Sequence, residues 1–168
     1  MQIEFINYTK DLTCEEQSVF YFEDSTEALA WYDDYIDQYP DDETGCTYFS
    51  AYGVELTACV DMIKEYEELE KTRSKFEMEA MCQLIDYGYA RTFEEAADTL
   101  ENDCYIISGH GKLNAFENFL DDICYFDDVP DHIRNFVDID GILRSWECGG
   151  MTMIELNDSW DDYLIINY

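Results

Sequence analysis

The sequence predicts an α+β protein, an elongated chain of three small units: a β-rich N-terminal unit, a central helical unit and a C-terminal α+β unit. Three observations carry that expectation. Short runs of aromatic and branched residues, read as strands, sit near both ends of the chain. Amphipathic stretches opened by capping residues fill the middle. The hydrophobic fraction is 47%, with 14 Tyr, 10 Phe and 3 Trp in 168 residues. A disordered acidic chain lacks that apolar content.

In the first unit, residues 1–56, segments 2–8 and 18–22 read as strands. Asp24 is the expected N-cap of a helix, with Glu27 three residues on in a capping-box arrangement. Ala28, Tyr32, Tyr35, Ile36 and Tyr39 then recur at helical spacing, until Pro40 and the acidic loop Asp41-Asp42-Glu43 stop the helix. A strand over Thr47–Tyr52 completes a β-β-α-β unit.

Residues 57–103 carry almost no strand signal. Thr57 is expected to cap a helix whose inner face is Cys59, Met62, Ile63, Tyr66 and Leu69. Ser74 with Glu77 opens a second helix carrying Met78, Met81 and Ile85. Thr92 with Glu95 opens a third, with Phe93, Ala97 and Leu100 inside. The short connections imply antiparallel packing.

Residues 104–168 begin with an apolar stretch, Cys104–Ile107, and a glycine loop, Gly109-His110-Gly111. A helix is expected from Lys112 to Tyr125, with Leu113, Phe116, Leu120, Ile123 and Cys124 on one side. Pro130 and Asp131 start a short helix through Phe136. Strands Met151–Leu156 and Tyr163–Asn167 flank an Asn157-Asp158 turn. Units this small bury little core each. An elongated arrangement of them keeps the carboxylates apart and weakens their repulsion.

Composition narrows the function. Forty Asp and Glu against nine Lys and Arg give a net charge of -31 at pH 7. Binding phosphates requires Lys and Arg, so nucleic acid is not the expected partner. Anionic membrane surfaces attract basic segments, which excludes them too. No apolar run approaches the roughly 20 residues of a membrane span, and the first residues lack the pattern of a signal peptide. The seven cysteines, Cys14, Cys46, Cys59, Cys82, Cys104, Cys124 and Cys148, contain no CxxC pair. Buried free thiols in a reducing cytoplasm are the expectation.

Catalytic and metal motifs are not found. Carboxylate pairs recur at Asp33-Asp34, Asp121-Asp122, Asp127-Asp128 and Asp161-Asp162, so they single out no acid–base couple. With only His110 and His132, far apart in the chain, catalytic triads and HExxH-type zinc sites are not expected. Ser108–Lys112 lacks the spacing of a phosphate loop and reads as a turn before a helix. In Asp138-Ile139-Asp140-Gly141 the glycine is not preceded by the first ligand of a calcium loop, because Phe136 stands there. No enzyme activity, cofactor or metal is expected.

The placement of charge is the informative feature. Residues 1–56 hold 14 acids and one base, residues 57–100 hold 11 and five, and residues 101–168 hold 15 and three. Glu27, Asp33, Asp34 and Asp37 line the polar side of the first helix. Asp61, Glu65 and Glu68 line that of the second at i, i+4 and i+7, and Asp121 and Asp122 stand on the helix from Lys112. Like charges at such spacing cost a helix about 0.2–0.5 kcal/mol per pair. On the linear scale of duplex DNA, 31 charges correspond to about 53 Å, or about 16 base pairs. A folded protein of that density can compete for a DNA-binding groove. Solubility, a saline habitat, or an adaptor role toward a basic protein would use the same charge. So would mimicry aimed at a CRISPR effector or a nucleoid protein.

Residues 78–168 resemble the ArdA antirestriction family, acidic DNA-mimicking proteins of conjugative elements and phages. Arg91-Thr-Phe-Glu-Glu-Ala-Ala-Asp98 is similar to the family's antirestriction motif, a hydrophobic helix end followed by S-I-E-E-L-x-E/D. Val129-Pro-Asp-His-Ile-Arg-Asn-Phe-Val-Asp138 is similar to V-P-x-x-L-x-x-Y-I-D, and the ending Ile165-Ile-Asn-Tyr168 is similar too. The N-terminal third departs from the family, keeping only a strand pattern where N-x-G-x-Y-N is usual. The resemblance implies a curved three-domain chain that forms a homodimer through its C-terminal domain. That dimer would occupy the DNA groove of type I restriction-modification enzymes. Carried over by position, Glu94, Glu95 and Asp98 become functional acids. Val129, Ile133, Phe136 and Val137 become the dimer contact.

Overall fold

Alternation of buried and more exposed residues, Ile3 and Phe5 inward with Glu4 between them, makes the first segment a strand rather than a helix. The computed structural model describes residues 1–9, 19–156 and 161–166. Its fold is α+β, with two antiparallel sheets among the described residues. Contacts divide the chain into two compact units, Met1–Asp98 and Thr99–Tyr168. Residues 1–56 and 57–98 therefore lie in one unit, and the sequence position of the second boundary is close to the one expected after residue 103.

The first unit has a four-stranded sheet in the order β2-β1-β3-β4, from β1 (Gln2–Asn7), β2 (Val19–Phe22), β3 (Thr44–Ala51) and β4 (Val54–Leu56). Strand β4 was not expected. It pairs with β3 through Ala51↔Val54 and Phe49↔Leu56, around a two-residue turn. Both turn residues have positive φ, 53° at Tyr52 and 75° at Gly53. Such a turn matches strand twist but is usually announced by Asn-Gly or Asp-Gly.

Helix α1 (Ser25–Gln38) begins where the cap was expected, Asp24 accepting the Glu27 N–H at 2.9 Å. Its inner face is aromatic. Trp31 lies 4.4 Å from Phe20 and 5.5 Å from Phe5, and Tyr32 stacks on Phe5 at 5.3 Å, centroid to centroid. Buried Asn7 donates to Tyr35 Oη at 2.8 Å and to Asp42 at 2.7 Å, which fastens strand, helix and acidic loop together.

Helix α2 (Val60–Glu70) starts later than expected. Thr57 is not its cap; Cys59 is, with no side-chain bond. The pairing of Leu56 with Phe49 and the burial of Ala58 keep the chain extended past Thr57. Cys59 is consequently exposed, not inward. Helix α3 (Lys75–Asp86) opens with the full Ser74–Glu77 capping box. Bonds from Ser74 hold the Glu77 carboxyl below its usual range. Helix α4 (Phe93–Asp103) follows, its first residue in an edge-on aromatic cluster with Phe49 at 5.8 Å and Tyr66 at 5.3 Å. The N-terminal and central segments thus share one core.

The second unit packs a three-stranded sheet, order β5-β7-β6, against helices. Its strands are β5 (Cys104–Ser108), β6 (Thr152–Glu155) and β7 (Asp162–Ile166); its helices are α5 (Lys112–Asp122), α6 (Asp131–Arg134) and α7 (Ile139–Cys148). Phe116, Phe119 and Leu120 of α5 meet Leu143 of α7 and Tyr163 and Ile165 of β7. Helix α5 ends before Tyr125, and Leu113, Ile123 and Cys124 are exposed, not inward. Helix α6 stops at Arg134. Helix α7 was not expected: Asp138 caps it by accepting the Gly141 N–H at 3.0 Å. A Cβ at Gly141 would lie 2.6 Å from that carboxylate. The Asp-x-x-Gly spacing is a helix start. The Asn157-Asp158 turn and Asn167 lie outside the described residues, as does Cys14.

Burial of all thiols does not hold. Cys46 and Cys82 are buried, which pushes their thiols up to about 11 and about 12, and Cys104 is half-buried. Cys59, Cys124 and Cys148 are exposed.

Three helices end in the same hydrogen-bond pattern, in which the second residue past the cap bonds back to the helix: Tyr89 N–H to Leu84, Tyr125 N–H to Leu120 and Met151 N–H to Trp146. Each needs a left-handed residue just before that bond. Gly88 and Gly150 supply it at φ 78° and 108°, but the third is Cys124 at φ 58°. A side chain there costs about 1 kcal/mol. Cys124→Gly is expected to stabilise the protein by about 0.5–1 kcal/mol and Gly88→Ala to destabilise it by about 1 kcal/mol. Urea denaturation followed by circular dichroism checks both.

Candidate functional site

Helix polarity makes the position of each carboxylate a physical question. A helix N-terminus carries about half a positive charge and the C-terminus half a negative one, so acids suit first turns and bases suit last turns. First turns follow the rule except in α5, which opens with Lys112: Glu27 in α1, Asp61 in α2, Glu77 in α3, Glu94 and Glu95 in α4, and Asp140 in α7.

Last turns do not. Helices α1 to α5 and α7 have no basic residue there. Acids stand in its place: Asp37 in α1, Glu68 and Glu70 in α2, Asp86 in α3, Glu101 and Asp103 in α4, Asp121 and Asp122 in α5, Glu147 in α7. An anion at that end costs about 0.3–1 kcal/mol at low ionic strength.

Of the twelve acids singled out from sequence, eleven are exposed and Glu65 is half-buried. Asp33, Asp34 and Asp37 sit together on the outer side of α1. Glu65 and Glu68 of α2 come together with Glu94 of α4 around a groove of about 320 Å³ floored by Leu69 and Ala97. Asp98 is exposed one turn beyond Glu94. In the second unit, Asp121 pairs with Arg134, while Asp122 beside it is exposed.

Two of the twelve serve the fold. The Glu65 carboxylate accepts the Phe93 N–H at 2.9 Å and the Glu94 N–H at 3.3 Å. Glu95 accepts the Arg91 N–H at 2.9 Å, and Thr92 accepts the Glu95 N–H at 3.1 Å. The Asp61–Glu65–Glu68 stripe on α2 therefore has a stabilising member, because the positive end of α4 faces Glu65. Sequence offered a sign of Glu95, three residues after Thr92. It offered none of Glu65, 28 residues before its partner Phe93.

Five of the nine bases pair with single acids. Lys71 pairs with Glu67 at 3.4 Å, Arg73 with Glu77 at 3.4 Å, Lys112 with Glu147 at 2.6 Å, Arg144 with Asp140 at 2.5 Å, and Arg134 with Asp121. Three of these are i,i+4 pairs, so they neutralise single acids and leave the wider surface anionic. Exposed pairs of this kind contribute only about 0–1 kcal/mol each.

The glycine loop before α5 faces acids. Asp162 bonds Ser108, Asp161 lies 3.4 Å from His110, and the Gly109 N–H donates to the Asp161 carbonyl at 2.8 Å. A phosphate would meet two carboxylates there. Among the described residues, no group of three or more His, Cys, Asp or Glu could hold a metal ion, and no helix is long and apolar enough to cross a membrane.

The four residues expected at a dimer contact divide. Val129 and Val137 pack against the core of the second unit. Ile133 and Phe136 point outward, 46% and 85% exposed.

Repulsion among outward acids is screened by salt, whose Debye length falls from about 30 Å at 0.01 M to about 10 Å at 0.1 M. The melting temperature is expected to rise over that range by several degrees, about 3 °C per kcal/mol of relieved repulsion. Calorimetry in buffered NaCl checks it; a flat or falling profile would show that the acids are compensated. No family model matches the chain, and no curated protein or solved structure does so either.

Proposed function

We propose that the protein is a DNA mimic that occupies the DNA-binding groove of type I restriction-modification enzymes and inhibits them. One observation carries the mimicry: exposed carboxylates are kept at the C-terminal ends of six helices, where folding alone favours lysine or arginine. A ligand for a phosphate-gripping groove needs those charges outside. The resemblance of residues 78–168 to the ArdA family supplies the target class. Within the motif-like segment Arg91–Asp98, Glu94 and Asp98 are exposed, while Glu95 accepts the Arg91 N–H.

The protein works as a cytoplasmic homodimer without catalysis or cofactor. Ile133 and Phe136 supply the apolar contact between copies, and their exposure supports that role. Binding is collective, since an exposed charge interaction is worth about 0.2–1 kcal/mol.

The test is competition with duplex DNA for a purified type I modification methyltransferase. Displacement is expected at low salt and should weaken steeply as salt rises. Glu94→Gln or Asp98→Asn alone should weaken it by at most about fivefold. Neutralising Asp33, Asp34, Asp37, Glu68, Glu94 and Asp98 together should abolish it. Phe136→Asp should convert the dimer to monomer in sedimentation and weaken displacement more than either single acid change. A wild-type protein that leaves duplex DNA on the enzyme at low salt would sink the proposal.

A further inference from the structure

Helix α4, which carries Glu94 and Asp98, has an unusual beginning. An α-helix leaves its first N–H groups without intrahelical partners. In α4 the Glu95 N–H is met by Thr92 Oγ1 at 3.1 Å, and the Ala96 N–H starts the ladder on the Thr92 carbonyl at 3.0 Å. The Phe93 and Glu94 N–H groups are met from another helix, by Glu65 of α2 at 2.9 and 3.3 Å.

The contact is built as well as placed. Tyr66, the residue after Glu65, is 2% exposed and packs its ring 5.3 Å from that of Phe93, which is fully buried. Adjacent residues of α2 therefore grip the start of α4 twice, by a ring and by a carboxylate. A bond from ionised oxygen to backbone N–H is about twice as strong as a neutral one, and the helix dipole adds to it. Glu95, which the Thr92–Glu95 spacing would direct to the cap, is turned to the Arg91 N–H instead.

We infer that Glu65 is the positioning residue of the acidic motif: it fixes the start of α4 and so sets where Glu94 and Asp98 stand, without presenting its own charge to the target. The structural half stands on hydrogen bonds and burial alone; the functional half rests on the DNA-mimic reading. Division of labour follows. Glu65 and Glu95 hold the helix, while Glu94, Asp98 and Glu68 meet the partner.

Two measurements on the full chain test it, with Glu65→Gln, Glu65→Ala and Glu94→Gln. Amide hydrogen exchange at Phe93 and Glu94 is expected to quicken about fivefold in Glu65→Ala, less in Glu65→Gln, which keeps an acceptor oxygen, and not at all in Glu94→Gln. In competition with DNA for the methyltransferase, Glu94→Gln should lower the slope of log inhibition against log salt by about one. Glu65→Gln should weaken inhibition at an unchanged slope. A lowered slope in Glu65→Gln, with Phe93 and Glu94 exchanging as in the unmodified protein, would overturn the inference and make Glu65 a target-facing charge. If the unmodified protein displaced no DNA, the mimic reading would fall, and unchanged exchange in Glu65→Ala would refute the positioning role separately.

Discussion

Mutual repulsion of surplus carboxylates is the constraint to which the rest of this structure answers. A net charge of -31 in 168 residues opposes every compact state of the chain, and nine bases cannot cancel it. Cohesion therefore has to come from uncharged contacts. In the first unit it comes from rings: Phe5, Phe20 and Trp31 join α1 to the sheet, and Phe49, Tyr66 and Phe93 join the sheet to the helices that follow. In the second it comes from Phe116, Phe119 and Trp146 over β7. Aromatic pairs add about 0.5–1.5 kcal/mol each beyond their buried area, and an abundance of them suits a chain that gains so little from ion pairs.

The acids themselves are put to two uses. Where an N–H or hydroxyl must be satisfied, a carboxylate does it: Asp24, Asp138 and Glu77 at helix starts, Asp42 on Asn7, Glu4 on Thr47, Glu67 on Thr26. These bonds recover some of what repulsion removes. The remainder, typified by Asp33, Asp34 and Asp37, faces solvent and adds nothing to cohesion. Glu65 and Glu68 lie one turn apart on α2 and belong to different groups, so proximity in sequence does not predict the use.

What the chain revealed before its fold was known follows the range of the interactions involved. Capping is local, and Asp24, Ser74 with Glu77, and Thr92 with Glu95 are legible as such. The hairpin of β3 and β4 is local too, but its turn places a tyrosine at positive φ, which composition does not announce. Helix α7 was hidden because Asp138 and Gly141 carry both a loop signal and a cap signal, and the contact of Gly141 with the Asp138 carboxylate decides for the cap. The shared core of residues 1–56 with α2 and α4 depends on Phe49 meeting rings far along the chain. Glu65 has the same character: only the tertiary fold brings it to Phe93.

Even distribution separates the remaining explanations of the charge. Met1–Asp98 holds 25 acids and six bases, and Thr99–Tyr168 holds 15 and three, so the two compact units are nearly equal in charge per residue. An adaptor for one basic protein needs carboxylates on the face that meets it and gains nothing from loading a separate unit. Solubility needs far fewer, and lysine at the helix C-termini would supply it with a favourable dipole term instead of a penalty. Keeping acids in the last turns of six helices, in both units, is costly wherever no base offsets them, as Lys112 offsets Glu147 and Arg134 offsets Asp121. It is intelligible if the partner is a surface that was itself shaped to hold a continuous row of phosphates, for which sign and spacing over a long contact matter and no single group does.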